Sequence, residues 1–196
     1  MEYDLLVKNG RVVDGSGMPS FHGDVGVKAG KIVERGKLSG NAKRVIDADG
    51  LVVAPGFVDN HCHYDAQVTW DPLCTFSCYH GATTVIFGNC SLGLAPVRQG
   101  DEESLISMLS RVEAIPMDVL QKGINWSWES IGDYMDTLEG NLGVNAGVLM
   151  GHSAIRRYVM GEASYERLAT DEELKAMQEQ VRLGLKDGAL GLSYNR

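Results

Sequence analysis

Positive charge is scarce in this sequence. Its 196 residues include 18 lysines and arginines against 26 aspartates and glutamates, which gives a formal net charge of −8 at pH 7. Binding to the phosphates of nucleic acid needs a basic surface, so this balance argues against nucleic acid as the main partner. The sequence also has no basic amphipathic segment of the kind that docks on a membrane surface.

Long apolar runs are missing as well. No run approaches the ~20 residues of a membrane-spanning helix, and the N-terminus, Met1 to Asp4, is acidic where a secretion signal would be basic. These two absences predict a cytoplasmic location. A folded domain is still expected, because 44% of the residues are hydrophobic and disordered chains contain fewer.

The cysteines are too few and too clustered for a disulfide scaffold; they are Cys62, Cys74, Cys78 and Cys90. In a cytosolic protein such cysteines are more often buried, metal-bound or reactive. Cys74 and Cys78 with His80 could suggest a zinc finger, but no second ligand pair stands at finger spacing, which favours buried cysteines. The sequence also lacks a dinucleotide-binding fingerprint and a phosphate-binding loop.

Residues 1–54 are rich in valine and interrupted by turns, a pattern typical of short strands. Asn9-Gly10 and Ala29-Gly30 are expected to be tight turns between strands. The predicted structure of this segment is a small antiparallel β unit. It is short for an independent sheet, so further strands from elsewhere are expected to complete it.

From Pro55 onward, short apolar runs alternate with helical patterns. The apolar runs are 56–59, 83–87, 144–150 and 188–192, and the helical patterns are 101–114, 128–139 and 171–187. The last helix is the clearest, because Thr170 and Glu173 form a capping box at its start. Strand and helix in alternation predict a parallel sheet with crossover helices.

Residues 55–196 supply about four such strand-helix units, whereas a closed barrel needs eight strands and roughly 250 residues. The predicted fold class is therefore α/β, the N-terminal part of a TIM-like (βα)8 barrel preceded by the small antiparallel β portion. The sequence stops just after a strand pattern, at Arg196. We therefore expect the chain to be incomplete.

His61 and His63 stand two residues apart at the end of the first of these strands. Side chains alternate along a strand, so both imidazoles are expected on one face. Neutral imidazoles bind divalent metals, and barrel enzymes build their sites at the carboxyl ends of strands. The alternative is two surface or core histidines without a metal, which the glycine-rich strand entry and Tyr64-Asp65 disfavour.

Cys90 follows the next strand, and Gly88 gives the backbone there room to approach a ligand. A thiolate at this position would face the same rim as the histidines and is a soft ligand suited to zinc. A cysteine at a strand end is by itself usually a small buried residue. Beside His61 and His63 the ligand interpretation is favoured, while Cys62 is expected to point to the opposite face and pack.

Two residues at the ends of later strands are candidates for binding a substrate. His152 ends the third strand and could line a pocket, and Tyr194 ends the fourth and could contact the substrate. A hydrogen-bonded structural histidine and a tyrosine packed at the rim are equally good interpretations.

Several motifs together resemble the N-acyl-D-amino-acid deacylase (D-aminoacylase) branch of the amidohydrolase superfamily. The similarity covers nearly the whole chain through Pro55 to Gln67, Trp70 to Pro72, His80 to Val85, Gly88 to Cys90, Ala95-Pro96, Gly151 to Ser153, Arg156, Met160-Gly161 and Gly188 to Ser193. The resemblance implies a distorted βα barrel and a small β-sandwich formed from both chain ends. Residues 1–54 would be the N-terminal share of the sandwich, and 55–196 the first half of the barrel.

The resemblance also implies a zinc hydrolase that cleaves the linear amide of N-acyl-D-amino acids or similar small molecules, with one or two Zn²⁺ ions. His61 and His63 would hold one zinc, and Cys90 would take the bridging position that a carboxylated lysine has in related enzymes. Zinc would activate water and polarise the amide carbonyl. Further histidines and an aspartate base are expected beyond Arg196, so this segment holds no catalytic base and is expected to be inactive alone.

Two other functions remain open from the sequence. The same fold could act on a cyclic amide such as a hydantoin or dihydropyrimidine, although Cys90 disfavours this because those enzymes usually bridge with a modified lysine. The chain could also be a non-catalytic module that pairs with another chain to close the barrel. The sequence is compatible with a homo-oligomer and does not predict its size.

Overall fold

The computed structural model describes residues 2–195, which fold as two compact units, residues 2–56 and 57–195. Strands are the regular elements of the first unit over residues 2–56, and the second combines a parallel sheet with helices. The predicted α/β fold class is confirmed. Among the helices of residues 2–195, none is long and apolar enough to cross a membrane. A cytoplasmic location stays a prediction.

The first unit is a five-stranded mixed sheet. Its strands are β1 (Glu2–Val12), β2 (Phe21–Lys28), β3 (Lys31–Gly36), β4 (Asn41–Asp47) and β5 (Val52–Val53). The order is β3-β2-β1-β4, with β5 also on β1. The predicted antiparallel pairing holds for β1, β2 and β3, and the turn predicted at Ala29-Gly30 joins the last two. Strands β4 and β5 add to β1 in parallel.

The hairpin predicted at Asn9-Gly10 was wrong, because β1 runs straight through it. Asn9 has a left-handed φ of 61°, and the register with β2 shifts between Val7 and Gly10. The Asn9 backbone N–H donates to Asp24 and its side chain to Asp47, both at 2.9 Å. An Asn-Gly pair suits any left-handed position, and here that position is a β-bulge inside a strand.

The second unit is built on four parallel strands in sequence order: β6 (Phe57–Asp59), β7 (Ala82–Phe87), β8 (Asn145–Gly151) and β9 (Gly191–Ser193). Its α-helices are α1 (Glu102–Glu113), α2 (Met117–Gly123), α3 (Ile131–Leu138), α4 (His152–Met160) and α5 (Asp171–Asp187). Single 3₁₀ turns lie at Gln67–Thr69, Ser77–His80 and Gly161–Ser164. This is the strand and helix order of half a βα barrel, as the sequence predicts.

The core of the second unit lies between the sheet and its helices. Val85 and Phe87 of β7 are fully buried, as is Leu120 of α2. Helix α5 lies very close to β8, since a Cβ on Gly184 would come within 2.3 Å of the Met150 sulfur. This packing fixes the strands in place, so their carboxyl ends form one rigid edge that carries the side chains described next.

Candidate metal centre

The three predicted ligands come together at the carboxyl ends of β6 and β7. His61, His63 and Cys90 each offer one ligand atom, and these atoms all lie within 4.8 Å of one another. His61 and His63 follow β6 in an irregular stretch, and Cys90 follows β7. Because β6 and β7 pair in parallel, their carboxyl ends meet at one edge and bring the three side chains together.

His61 is the most accessible member of the group. Its side chain is exposed, and its Nε2 lies 3.1 Å from the sulfur of Cys90. The rings of His61 and His63 meet edge to face, with their centroids 5.5 Å apart. Two imidazoles and a thiol therefore share one small volume that opens to solvent on the His61 side.

His63 lies deeper, with its side chain only 15% exposed. Its Nε2 is 3.5 Å from a carboxylate oxygen of Glu113, the last residue of α1. Its Nδ1 is buried and has no hydrogen-bond partner among the described residues. Burial lowers the pKa of His63, and the Glu113 carboxylate opposes that shift.

A divalent metal fits this donor set. A buried nitrogen without a partner is costly, and a neutral imidazole is the form of histidine that binds metals. A metal ion here would be bound by one ring nitrogen each of His61 and His63 and by the sulfur of Cys90. Nitrogen and sulfur donors together are the set that zinc prefers.

The turn that carries Cys90 depends on Gly88. Gly88 has φ of 84°, and a Cβ there would lie 1.9 Å from the backbone oxygen of Leu149 in β8. The Asn89 side chain donates to the backbone oxygens of Ile86, at 2.9 Å, and Cys62, at 3.3 Å. Gly88 thus lets β7 approach β8 closely, and Asn89 ties the turn to the histidine segment.

Cys62 packs away from the ligand group, as expected from the sequence. Its thiol donates to the backbone oxygen of Ile86 at 3.2 Å, and its side chain packs against the core. Burial is the main reason that the pKa of the Cys62 thiol rises to about 12. It therefore stays protonated at neutral pH and does not compete with Cys90 as a thiolate.

Asp65 and Glu113 are the polar neighbours of the site to which the sequence assigned no role. Asp65 is fully buried, and burial raises its pKa to about 6. The Tyr134 hydroxyl donates to the Asp65 backbone oxygen at 2.7 Å, which ties the histidine segment to α3. Asp65 lies within the motif from Pro55 to Asp65 but was given no role there, whereas no local pattern marks Glu113, which lies 50 residues from His63.

His152 and Tyr194, the two predicted substrate contacts, lie against each other. His152 is the first residue of α4, directly after β8, and Tyr194 directly follows β9. Their rings meet edge to face with centroids 5.4 Å apart. His152 also lines a mainly apolar cavity of about 310 Å³ with Leu192 and residues of α5. Burial, helped by Arg156, lowers the pKa of His152.

Known D-aminoacylases are similar to this chain in sequence and in structure. A D-aminoacylase of Alcaligenes xylosoxydans xylosoxydans is 36% identical over 97% of this chain and 37% of its own length. A D-aminoacylase structure, studied for its binuclear metal centre, matches with a TM-score of 0.82 and 34% identity over 98% of this chain and 38% of that one.

A second solved structure is N-acyl-D-glutamate deacylase from Bordetella bronchiseptica, complexed with zinc and a phosphonate inhibitor. It matches with a TM-score of 0.83 and 29% identity over 99% of this chain and 38% of its own. The chain thus spans less than two fifths of the length of these relatives. A family model described as "Amidohydrolase family" matches residues 44–196, which is most of the sequence, and the chain therefore belongs to the amidohydrolase family.

Proposed function

We propose that this chain carries the first ligands of a zinc-dependent hydrolase that cleaves the linear amide of N-acyl-D-amino acids. The observation that carries the proposal is the convergence of His61, His63 and Cys90 at the carboxyl edge of a parallel sheet. The unpartnered Nδ1 of His63 adds support, because a buried ring nitrogen calls for a ligand.

The choice of zinc rests on the chemistry of the donors. A thiolate is a soft ligand, and imidazole suits zinc, copper, iron and nickel. The zinc in the related Bordetella bronchiseptica enzyme favours zinc over the others. Whether one or two ions bind stays a prediction; the binuclear centre of the related D-aminoacylase supports two.

In this mechanism some residues of the chain would hold the metal and others would orient the metal-binding side chains. Bound zinc supplies a Lewis acid that lowers the pKa of water and polarises the amide carbonyl. His61 and Cys90 would hold the metal together with His63, and the exposed side chain of His61 leaves the group open to a substrate. Glu113, which faces the Nε2 of His63, would orient the ring so that its Nδ1 is left for the metal, as carboxylates commonly do for metal-binding histidines. We assign no base to residues 2–195.

We assign substrate contact to the ring pair of His152 and Tyr194. They follow β8 and β9, so they stand at the same edge of the sheet as the metal ligands. Burial lowers the pKa of His152, which favours the neutral ring, and a neutral imidazole can donate or accept a hydrogen bond. The hydroxyl of Tyr194, a residue that is 61% exposed, is free to turn toward an amide or carboxylate.

The substrate class is tested by binding, since no base is assigned to residues 2–195. The Co²⁺-loaded chain is titrated with N-acetyl-D-methionine, N-acetyl-L-methionine and hydantoin, and the cobalt absorption spectrum is recorded. We expect the D compound to change the spectrum at a lower concentration than the other two. A response to hydantoin alone would reverse the assignment in favour of a cyclic amide.

The Glu113→Gln variant is expected to bind zinc about tenfold more weakly. Loss of a carboxylate behind a metal-binding histidine typically costs 10–100-fold in affinity, and the 3.5 Å separation from His63 places this case at the low end. Competition with a chromophoric chelator measures the change. The matched control is Glu103→Gln, an identical charge change in the first turn of the same helix. If the two variants bind zinc with equal affinity, the role assigned to Glu113 is wrong.

A further inference from the structure

The turn that carries Cys90 has an unusual backbone. Cys90 and Ser91 both lie in the left-handed region, with φ of 54° and 68°. Two successive non-glycine residues in this region are strained, and such strain persists only where the surroundings hold it in place. The residues that hold this turn therefore also fix where the Cys90 sulfur points.

Three serine side chains hold the turn, one from the end of each of the strands β7, β8 and β9. The backbone N–H of Ser91 donates to the hydroxyl of Ser193 at 3.0 Å. The hydroxyls of Ser91 and Ser153 lie 2.9 Å apart, and the Ser153 N–H lies 3.1 Å from the Ser91 hydroxyl. Ser91 and Ser193 are 5% and 9% exposed, so little water competes for these bonds.

The backbone of the turn also lies directly against the end of β8. The Ser153 N–H donates to the Ser91 backbone oxygen at 3.0 Å. A Cβ on Gly151 would come within 2.0 Å of the Leu92 oxygen, so no other residue fits there. The turn is thus bound to the ends of β8 and β9, and loss of the Ser153 or the Ser193 hydroxyl would release part of it.

We propose that Ser193 and Ser153 are positioning residues that set the Cys90 sulfur toward His61 before a metal binds. The sulfur already lies 3.1 Å from the Nε2 of His61. A relaxed turn would return Cys90 and Ser91 to ordinary φ values and rotate the side chain away from the histidines. The inference rests on the proposed metal-binding function, because it assigns a role to residues behind one of the ligands.

The test is a Co²⁺ titration of the 196-residue chain, read by the thiolate-to-cobalt charge-transfer band. Ser193→Ala is expected to weaken Co²⁺ affinity about tenfold, the usual effect of losing a partner behind a ligand, and to reduce the intensity of the band. Ser193→Thr keeps a hydroxyl and is expected to restore both. Ser153→Ala removes the other hydroxyl and replaces Ser193→Ala in the test if that variant does not fold. The same losses of Co²⁺ affinity and band intensity are expected.

The matched control is Ser130→Ala, which removes the hydroxyl that caps α3. It is expected to lower the melting temperature and to leave Co²⁺ affinity and the band unchanged. If the folded Ser193→Ala and Ser153→Ala variants keep the affinity and band of the unchanged chain, the positioning role is wrong while the metal site stands. If the unchanged chain itself shows no thiolate band, the proposed metal site is wrong and the positioning role falls with it.

Discussion

Cys90→Ala is expected to lower the zinc affinity of the chain about a hundredfold. Zinc sites with four ligands bind with roughly 10–16 kcal/mol, so one ligand accounts for about 3 kcal/mol, or two orders of magnitude. Cys90 is the soft donor of the group, and its sulfur lies 3.1 Å from the Nε2 of His61. Its loss leaves two imidazoles, which bind zinc more weakly and less selectively. Competition with a chelator of known affinity measures the change.

Cys62→Ala is the matched control for Cys90→Ala. Cys62 stands between the two histidines in the sequence, but its thiol donates to the Ile86 backbone oxygen and has a raised pKa. Its removal is expected to cost some stability and to leave zinc affinity within about twofold, because a protonated thiol is not a zinc ligand. A loss of zinc on Cys62→Ala as large as on Cys90→Ala would contradict the assignment of the ligands.

Gly88→Ala is expected to destabilise the second unit by about 3 kcal/mol or more. A residue with a Cβ at φ of 84° costs about 1–2 kcal/mol, and overpacking adds roughly 1–3 kcal/mol. The new Cβ would lie 1.9 Å from the Leu149 oxygen. That oxygen belongs to the backbone of β8, which is paired with strands on both sides and cannot give way. Urea unfolding followed by far-ultraviolet circular dichroism measures the loss.

Gly140→Ala separates the two causes of that loss. Gly140 has a similar φ of 75°, but nothing lies within 4 Å of where its Cβ would be. It should therefore show the backbone cost alone, about 1 kcal/mol. The excess for Gly88→Ala measures the close approach of β7 to β8. Equal unfolding free energies for the two variants would show that this approach is not a constraint.

Local sequence signals predicted the elements whose start and end are marked by capping residues. Helix α5 spans Asp171–Asp187, as predicted, because the capping box of Thr170 and Glu173 marks its start and Gly188 its end. Helix α4 has no such mark. It begins at His152 directly after β8, without a side-chain cap, so the sequence shows a strand end there and no helix start. Only the packing of the strand edge reveals where that helix begins.

The juxtaposition of the three candidate ligands was predictable, but one of the reasons given for it was not correct. His61 and His63 were expected to share a face as alternate residues of a strand, whereas β6 ends at Asp59 and both lie in irregular chain. They meet Cys90 because parallel neighbouring strands end at the same edge. The partners behind the ligands were not predictable, because Glu113 and Ser193 reach the site from elements far along the chain.

X-ray absorption spectroscopy of the zinc-loaded chain tests the central claim most directly. We predict a first shell with one sulfur at about 2.3 Å and nitrogen ligands at about 2.0 Å, from Cys90, His61 and His63. The sulfur contribution should vanish in Cys90→Ala and persist in Cys62→Ala. A first shell of nitrogen and oxygen alone in the unchanged chain, or a sulfur signal that survives Cys90→Ala, would contradict the assignment.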